Sequence, residues 1–236
     1  MRILAIDSSA TAASAALVDD GKVLGEFYIN TSLTHSQTLM PIIHDLFTFT
    51  KTDFNSVDLF AVSVGPGSFT GIRIGVASVK GLAMAQDKPC AGVSTLEAMA
   101  HNLEHLEGIV CAVMDARCGQ VYNAIFKARG GSLERITPDR ALSIEDLAKE
   151  CKNYTNLLYL VGDGAKLCYN NEWFKPLNPI LPPEPLLYQR ACGVAKSAIK
   201  MFEQGGAVTS AALAPVYLRL PQAERELKKR LEGENK

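Results

Sequence analysis

The stretch LFAVSVGPGSFTGIRIGVASVKGLAMA, residues 59–85, decides the fold. Its first residues are mostly apolar and predict a buried strand, the turn Gly65-Pro66-Gly67 follows, and a helix with almost no bulky polar residues comes next. Glycine allows a tight turn and lets another group approach the backbone. The first turn of the helix presents unpaired N–H groups at the positive end of its dipole. The turn is therefore a candidate site for an anion.

The helix after the glycine turn has a second feature, a face of mainly small residues. This face holds, at helical spacing, Gly71, Gly75, Ser78 and Leu82. The opposite edge can face the sheet through Ile72, Val76 and Val79. A glycine inside a helix costs roughly 1 kcal/mol relative to alanine, and a groove of small residues usually serves the close approach of another backbone or helix. We expect this groove to contact a partner that the chain itself does not obviously supply.

Composition limits the classes of function. The chain has 236 residues, 47% of them hydrophobic, and a formal net charge of −1 from 24 basic and 25 acidic side chains. Such a near-neutral balance argues against tight direct binding of RNA or of an anionic membrane. Asp7 interrupts the N-terminal apolar stretch, so no signal peptide is predicted, and no apolar run reaches membrane-spanning length. The six cysteines form no C-x-x-C pair, and we expect reduced thiols in a cytoplasmic protein.

The remaining elements follow from periodicity and turn residues. Residues 2–29 predict three antiparallel strands, and residues 34–50 predict an amphipathic helix that opens with a capping box of Thr34 and Gln37. Pro41 means that this helix either begins there or is locally kinked. Further predictions are a strand at residues 89–93 and helices at residues 95–106, 143–151 and 186–204.

The chain then resembles itself. Residues 4–7 (LAID) align with residues 112–115 (AVMD), and the same offset brings the second strand, residues 16–18, onto residues 124–126. Two copies of one α/β unit are predicted, although strands ending in Asp are common enough for a chance match. We place the first lobe at residues 1–107, the second at residues 108–220 and a charged tail at residues 221–236.

Several short motifs together resemble one protein family. They are Asp7-Ser8-Ser9, His35-Ser36-Gln37, GPGSFTGIRIG at residues 65–75, GVSTL at residues 92–96, Asp115-Ala116-Arg117 and PVYLR at residues 215–219. This set is similar to the TsaB (YeaZ) family, and the matches span nearly the whole chain. The resemblance implies an α/β fold of two duplicated lobes of the actin, hexokinase and Hsp70 type (the ASKHA, or ribonuclease H-like, class).

The resemblance also implies a function. TsaB-like proteins take part in making N6-threonylcarbamoyladenosine at position 37 of tRNA, as non-catalytic partners of the catalytic paralogue TsaD, together with the ATPase TsaE. Pairing through helices 34–50 and 69–85 would place in the partner surface Leu39, Ile43, Phe47, Gly71, Arg73, Gly75, Ser78 and Leu82. The resemblance further implies that the chain forms a homodimer when alone and contacts tRNA only through the complex. It implies no cofactor for the chain itself, with ATP or ADP and metal bound at the level of the complex.

Enzymes of the same fold hold nucleotide phosphates and metal with an Asp-x-Gly after the first strand of each lobe. Here both copies, Asp7-Ser8-Ser9 and Asp115-Ala116-Arg117, lack the glycine. We therefore expect no independent ATP hydrolysis, although a weaker phosphate contact would involve Asp7, Ser8, Gly65, Gly67 and Ser68. The alternative is a stand-alone ATPase or small-molecule kinase of this fold.

A peptidase of the M22 type is the other alternative. His101 and His105 have the spacing of a helical metal pair, but they lie several residues beyond the position where metal-binding paralogues carry their histidines. Their polar neighbours favour a solvated surface, so no metal site is predicted. Ser68 is favoured as the N-cap of the following helix rather than as a nucleophile, since G-P-G-S lacks the elbow pattern G-x-S-x-G.

Overall fold

The computed structural model describes residues 1–31, 33–154 and 156–219, and these form two five-stranded sheets. The first sheet contains β1 (Arg2–Asp7), β2 (Ala13–Asp19), β3 (Lys22–Ile29), β4 (Leu59–Gly65) and β5 (Cys90–Ser94). The second contains β6 (Glu107–Asp115), β7 (Gln120–Arg129), β8 (Ser132–Arg135), β9 (Arg140–Ser143) and β10 (Leu158–Val161). The predicted three-stranded N-terminal meander and the strand at residues 89–93 are confirmed.

The helices of the described residues are α1 (His35–Thr50), α2 (Phe69–Gln86), α3 (Thr95–Ala100), α4 (Ile144–Cys151), α5 (Ala165–Tyr169), α6 (Glu184–Leu187) and α7 (Ala191–Glu203). Two predicted helices differ from these. The helix predicted at residues 95–106 ends at Ala100 and continues only as a 3-10 turn. The helix predicted at residues 186–204 is two helices, because Arg190 is extended and its guanidinium binds Glu26 of β3.

The starts of α1 and α2 follow the predicted capping chemistry. The Thr34 N–H donates to Oε1 of Gln37 over 3.2 Å, and the Gly71 N–H donates to Oγ of Ser68 over 3.2 Å. Pro41 lies inside α1, which begins at His35 and not at the proline. Ser68 is therefore an N-cap, as the sequence indicates.

The two sheets repeat one arrangement of strands. In the first sheet β1 pairs antiparallel with β2 and parallel with β4, and the order is β3-β2-β1-β4-β5. In the second sheet β6 pairs antiparallel with β7 and parallel with β10, and the order is β8-β7-β6-β10. Asp7 and Asp115 thus end equivalent strands, and glycine turns follow both β4 and β10. The predicted fold class, with two duplicated α/β units, is confirmed.

Alternation along β1 directs the helices to opposite faces of the first sheet. Leu4 and Ile6 pack against α1 and α2, whereas Ile3 and Ala5 pack against α7. Helix α3 covers the adjacent face of the second sheet, so α3 and α7 lie between the two sheets. Helix α7 falls within the predicted second lobe, residues 108–220, yet its small buried residues pack on the first sheet. The tail at residues 221–236 lies outside the described residues.

The longest of the helices that the structure describes is α2 (Phe69–Gln86), with 18 residues. None of these helices combines the length and the apolar character needed to cross a bilayer.

Candidate functional site

The glycine turn after β4 is closed by two other parts of the chain. A Cβ on Gly65 would lie closer than 3.0 Å to the carbonyl oxygen of Val216, and one on Gly67 closer than 3.0 Å to that of Ser9. The Ser68 N–H also donates to the Ser9 carbonyl over 2.7 Å. Glycine is needed at this turn because the loop after β1 and the C-terminal segment both contact its backbone.

Asp7 lies in the interior beneath this turn and is fully buried. Its carboxylate accepts hydrogen bonds from Oγ of Ser63 (2.5 Å), Oγ of Ser9 (2.7 Å) and the Ser9 N–H (2.9 Å). Burial raises the pKa of Asp7, and these hydrogen bonds partly oppose that shift. A metal ion or phosphate would have to displace these donors. Asp7 thus links the end of β1 to Ser63 of β4 by a buried hydrogen bond.

The predicted phosphate contacts divide into two groups. Ser8 is buried and donates its Oγ to the Gly71 carbonyl over 2.9 Å, and Gly65 is covered by Val216. Asp7, Ser8 and Gly65 therefore do not border open space, and this part of the prediction is corrected. Gly67 and Ser68 do line a cleft of about 550 Å³.

The cleft lies between the ends of the central strands of the two sheets, and its charges balance. Asp115, Asp163, Arg117 and Arg219 all line it. The Arg117 N–H donates to Oδ1 of Asp115 over 2.7 Å, and Nη1 of Arg219 donates to the Ala116 carbonyl over 2.6 Å. Within the described residues, no three His, Cys, Asp or Glu side chains are grouped to hold a metal ion.

Asp163 is the group in the cleft with the most perturbed acidity. Burial raises its pKa to about 6, the hydrogen bond from Gln189 opposes this shift, and the charge of Asp115 adds to it. The side-chain amide Nε2 of Gln189 donates to Oδ1 of Asp163 over 3.3 Å. Asp163 thus titrates closer to neutral pH than an ordinary aspartate does.

Replacing Asp163 by asparagine is expected to stabilise the fold at pH 7. The pKa of Asp163 is higher in the folded than in the unfolded chain, so the folded wild type binds the proton more tightly. Its stability therefore falls as the pH rises from about 4 to 6 and stays at the lower value above pH 6. Asp163→Asn removes that loss, which is up to roughly 2–3 kcal/mol. Urea unfolding at pH 4 and pH 7 measures it: the gain should appear at pH 7 and shrink towards pH 4. A gain of equal size at both pH values would contradict this explanation.

The two histidines of the predicted surface differ in environment. His105 is exposed, as predicted, but the side chain of His101 is only 12% exposed, which corrects the prediction for that residue. Nδ1 of His101 lies 2.6 Å from Oε2 of Glu104, and Lys196 of α7 also pairs with Glu104. His101 therefore helps join the turn after α3 to α7.

The predicted partner surface on α1 and α2 needs correction. Leu39 and Ile43 are buried in the core of the first sheet. Gly71 and Gly75 face Ser8, since a Cβ on either would come closer than 3.0 Å to that residue. None of these four residues can contact another molecule in this conformation. The other four predicted residues are at least partly accessible: Phe47, Ser78 and Leu82 are half-buried, and Arg73 is exposed.

A different stripe of α2 faces solvent. It holds Arg73, Ala77, Gly81 and Met84, and neighbouring α1 adds Met40 and Pro41. We call these six residues the outer face. Met84 is 72% exposed and Met40 46%. The spacing of four, four and three along α2 is a helical signal that was available in the sequence, but it competes with the stripe of Gly71 and Gly75 in the same helix.

Comparisons with known proteins agree with this architecture. Residues 25–166 match the family described as TsaD, tRNA N6-adenosine threonylcarbamoyltransferase. The tRNA threonylcarbamoyladenosine biosynthesis protein TsaB of Escherichia coli strain K12 is 33% identical over 230 residues, which are 96% of this chain and 98% of that protein. Its Bacillus subtilis strain 168 namesake is 34% identical over 167 residues, 71% of this chain and 73% of that protein. The structure of YeaZ from Pseudomonas aeruginosa matches with a TM-score of 0.76 at 28% identity, covering 92% of this chain and 99% of that one.

Proposed function

The chain belongs to the TsaB (YeaZ) family, and from this premise we propose that it acts in tRNA threonylcarbamoyladenosine biosynthesis as a subunit without catalytic chemistry of its own. The observation that carries the proposal is the match to the Escherichia coli TsaB protein over 98% of that protein's length. The matched region includes both sheets.

The non-catalytic role is supported by the interior of the first lobe. Asp7 occupies the position that binds phosphate and metal in enzymes of this fold, but serine donors satisfy it and the closed glycine turn separates it from the cleft. Phosphoryl transfer needs a positioned metal and a nucleophile. Any ATP, ADP or metal ion would then belong to the complex and not to this chain alone.

The proposed partner is a TsaD-like paralogue, which supplies the transferase activity. Residues 25–166 match the TsaD family and include α1 and α2, so a TsaD-like paralogue would present a similar helix pair. Homologous helix pairs can pack about a pseudo-two-fold axis, and the same outer face would give a homodimer when the partner is absent. A TsaE-like ATPase would complete the complex in the cytoplasm. The net charge of −1 supports indirect contact with tRNA through the other subunits.

The test is a threonylcarbamoyl transfer assay with the TsaD-like and TsaE-like proteins of the same cell. Transfer is expected to require this chain and to persist with the cleft variant Asp115→Asn, because Asp115 has no proposed catalytic task. Co-purification of the chain with the TsaD-like protein is measured in parallel. The proposal would be overturned if the isolated chain hydrolysed ATP or peptide and Asp115→Asn abolished that activity.

A further inference from the structure

Arg73 is held in one orientation by two aromatic side chains at the N-terminal end of the outer face. The centre of its guanidinium lies 3.9 Å from the ring centroid of Phe69. Its Nε donates a hydrogen bond to the hydroxyl of Tyr217 over 2.9 Å. The rings of Phe69 and Tyr217 lie 5.0 Å apart at an interplanar angle of 34°. An exposed arginine normally samples many rotamers, and this one is restrained by stacking and by a hydrogen bond.

Hydrogen bonds of the residues on either side of Tyr217 fix its position. The Val216 N–H donates to the Val64 carbonyl at the end of β4 over 2.8 Å. Two residues after Tyr217, Nη1 of Arg219 donates to the Ala116 carbonyl of the second lobe over 2.6 Å. Tyr217 is therefore carried by a segment anchored to both lobes.

The two terminal nitrogens of Arg73 remain available. Within residues 1–31, 33–154 and 156–219, neither Nη1 nor Nη2 of Arg73 has a hydrogen-bond or ion-pair partner within the usual distance limits, although the residue is solvent-exposed and charged. A guanidinium fixed through Nε presents these nitrogens as a planar fork. That fork matches the two oxygens of a carboxylate.

We propose that Arg73, positioned by Phe69 and Tyr217, binds a carboxylate side chain of the TsaD-like subunit. This inference rests on the proposed function, which supplies the partner. Charge complementarity selects the ligand, because Arg73 is the charged residue among the exposed residues of α2, whose other members are Thr70, Ala77, Gly81, Met84 and Ala85. A single ion pair beside packed apolar residues fixes the register of two helices and discourages wrong partners.

The experiment measures the dissociation constant of the complex with the full-length TsaD-like protein by isothermal titration calorimetry. Arg73→Ala is expected to weaken binding roughly 10- to 100-fold, and Arg73→Lys to recover little, because an ammonium lacks the fork. Tyr217→Phe keeps the stacking and loses the hydroxyl, so a smaller loss of roughly 3- to 10-fold is expected. The charge-matched control is Arg129→Ala, an exposed arginine at the end of β7, which should change binding less than about twofold.

A charge exchange identifies the carboxylate. Exposed Asp and Glu residues of the TsaD-like protein are changed singly to Arg and titrated against Arg73→Glu; one of them should restore binding at least tenfold relative to Arg73→Glu with wild-type partner. Absence of any such rescue, or unchanged affinity in Arg73→Ala, overturns the inference and leaves the proposed function standing. If the wild-type chain did not bind the wild-type TsaD-like protein, the proposed function would be contradicted, and the inference would fall with it.

The chain's own C-terminal carboxylates are the competing ligand. Glu224 and Glu226 follow Arg219 closely in the sequence. The full-length double variant Glu224→Gln/Glu226→Gln is expected to show the same loss on Arg73→Ala as the wild type. If that loss disappeared in the double variant, the carboxylate would belong to this chain and the proposal would be wrong.

Discussion

Replacing Gly71 by alanine is expected to destabilise the fold by roughly 2–4 kcal/mol. The added Cβ would lie closer than 3.0 Å to the carbonyl oxygen of Ser8, which is backbone and cannot rotate away. Ser8 is also tied to the same residue by its Oγ, which donates to the Gly71 carbonyl over 2.9 Å. Relief of the clash therefore requires α2 or the loop after β1 to move. Urea unfolding monitored by circular dichroism gives the free energy of unfolding.

Gly81→Ala is the matched control in the same helix. Gly81 is exposed, and a Cβ there would meet nothing within 4 Å. Because alanine is the better helix former, this variant is expected to be about 0.5–1 kcal/mol more stable than the wild type. The two alanines thus act in opposite directions. If Gly71→Ala unfolded like the wild type or like Gly81→Ala, the close contact between α2 and Ser8 would not exist in solution.

The glycines of α2 show what the sequence could not decide. Their spacing correctly indicates the close approach of another group, but it does not say which group approaches. The sequence favours a partner helix, which predicts that a bulky residue at Gly75 breaks the pairing and leaves the fold largely intact. In the structure Gly75 faces Oγ of Ser8, so that expectation is wrong and a bulky residue there would disturb the core. Ser8 is distant from α2 in sequence, and the spacing of residues along a helix does not indicate which loop packs against that helix.

The duplicated sheets, by contrast, could be predicted. Each lobe repeats a local order of strand, turn and strand in which the first strand ends in Asp7 or Asp115, and this order can be read from the sequence alone. The course of α7 could not be predicted in the same way. Its small buried residues suit either sheet, and its position depends on non-local contacts such as those of Arg190 with Glu26 and of Val194 with the first sheet. Tyr217 reaches Arg73 across 144 residues for the same non-local reason.

Replacing Met84 by arginine is expected to weaken binding of the TsaD-like protein about 100-fold or more. Met84 is 72% exposed on the outer face, so the folded chain alone accommodates the longer side chain and the free energy of unfolding should stay within about 0.5 kcal/mol of wild type. In a packed helix interface the same guanidinium would lose its water without gaining a partner. Calorimetric titration measures the affinity, and transfer activity should fall in parallel at subunit concentrations below the new dissociation constant.

Phe202→Arg provides the matched control, because Phe202 is 39% exposed on α7, which packs on the opposite face of the first sheet. It should bind the TsaD-like protein within about twofold of wild type. Sedimentation measures the oligomeric state of the isolated chain: a homodimer built on the outer face would bury the side chain at position 84, where an arginine would lose its water without gaining a partner. Met84→Arg should then be monomeric while Phe202→Arg is not. If Met84→Arg bound its partner and itself as tightly as the wild type, the outer face would not be the interface, and another surface of the chain would have to carry the proposed function.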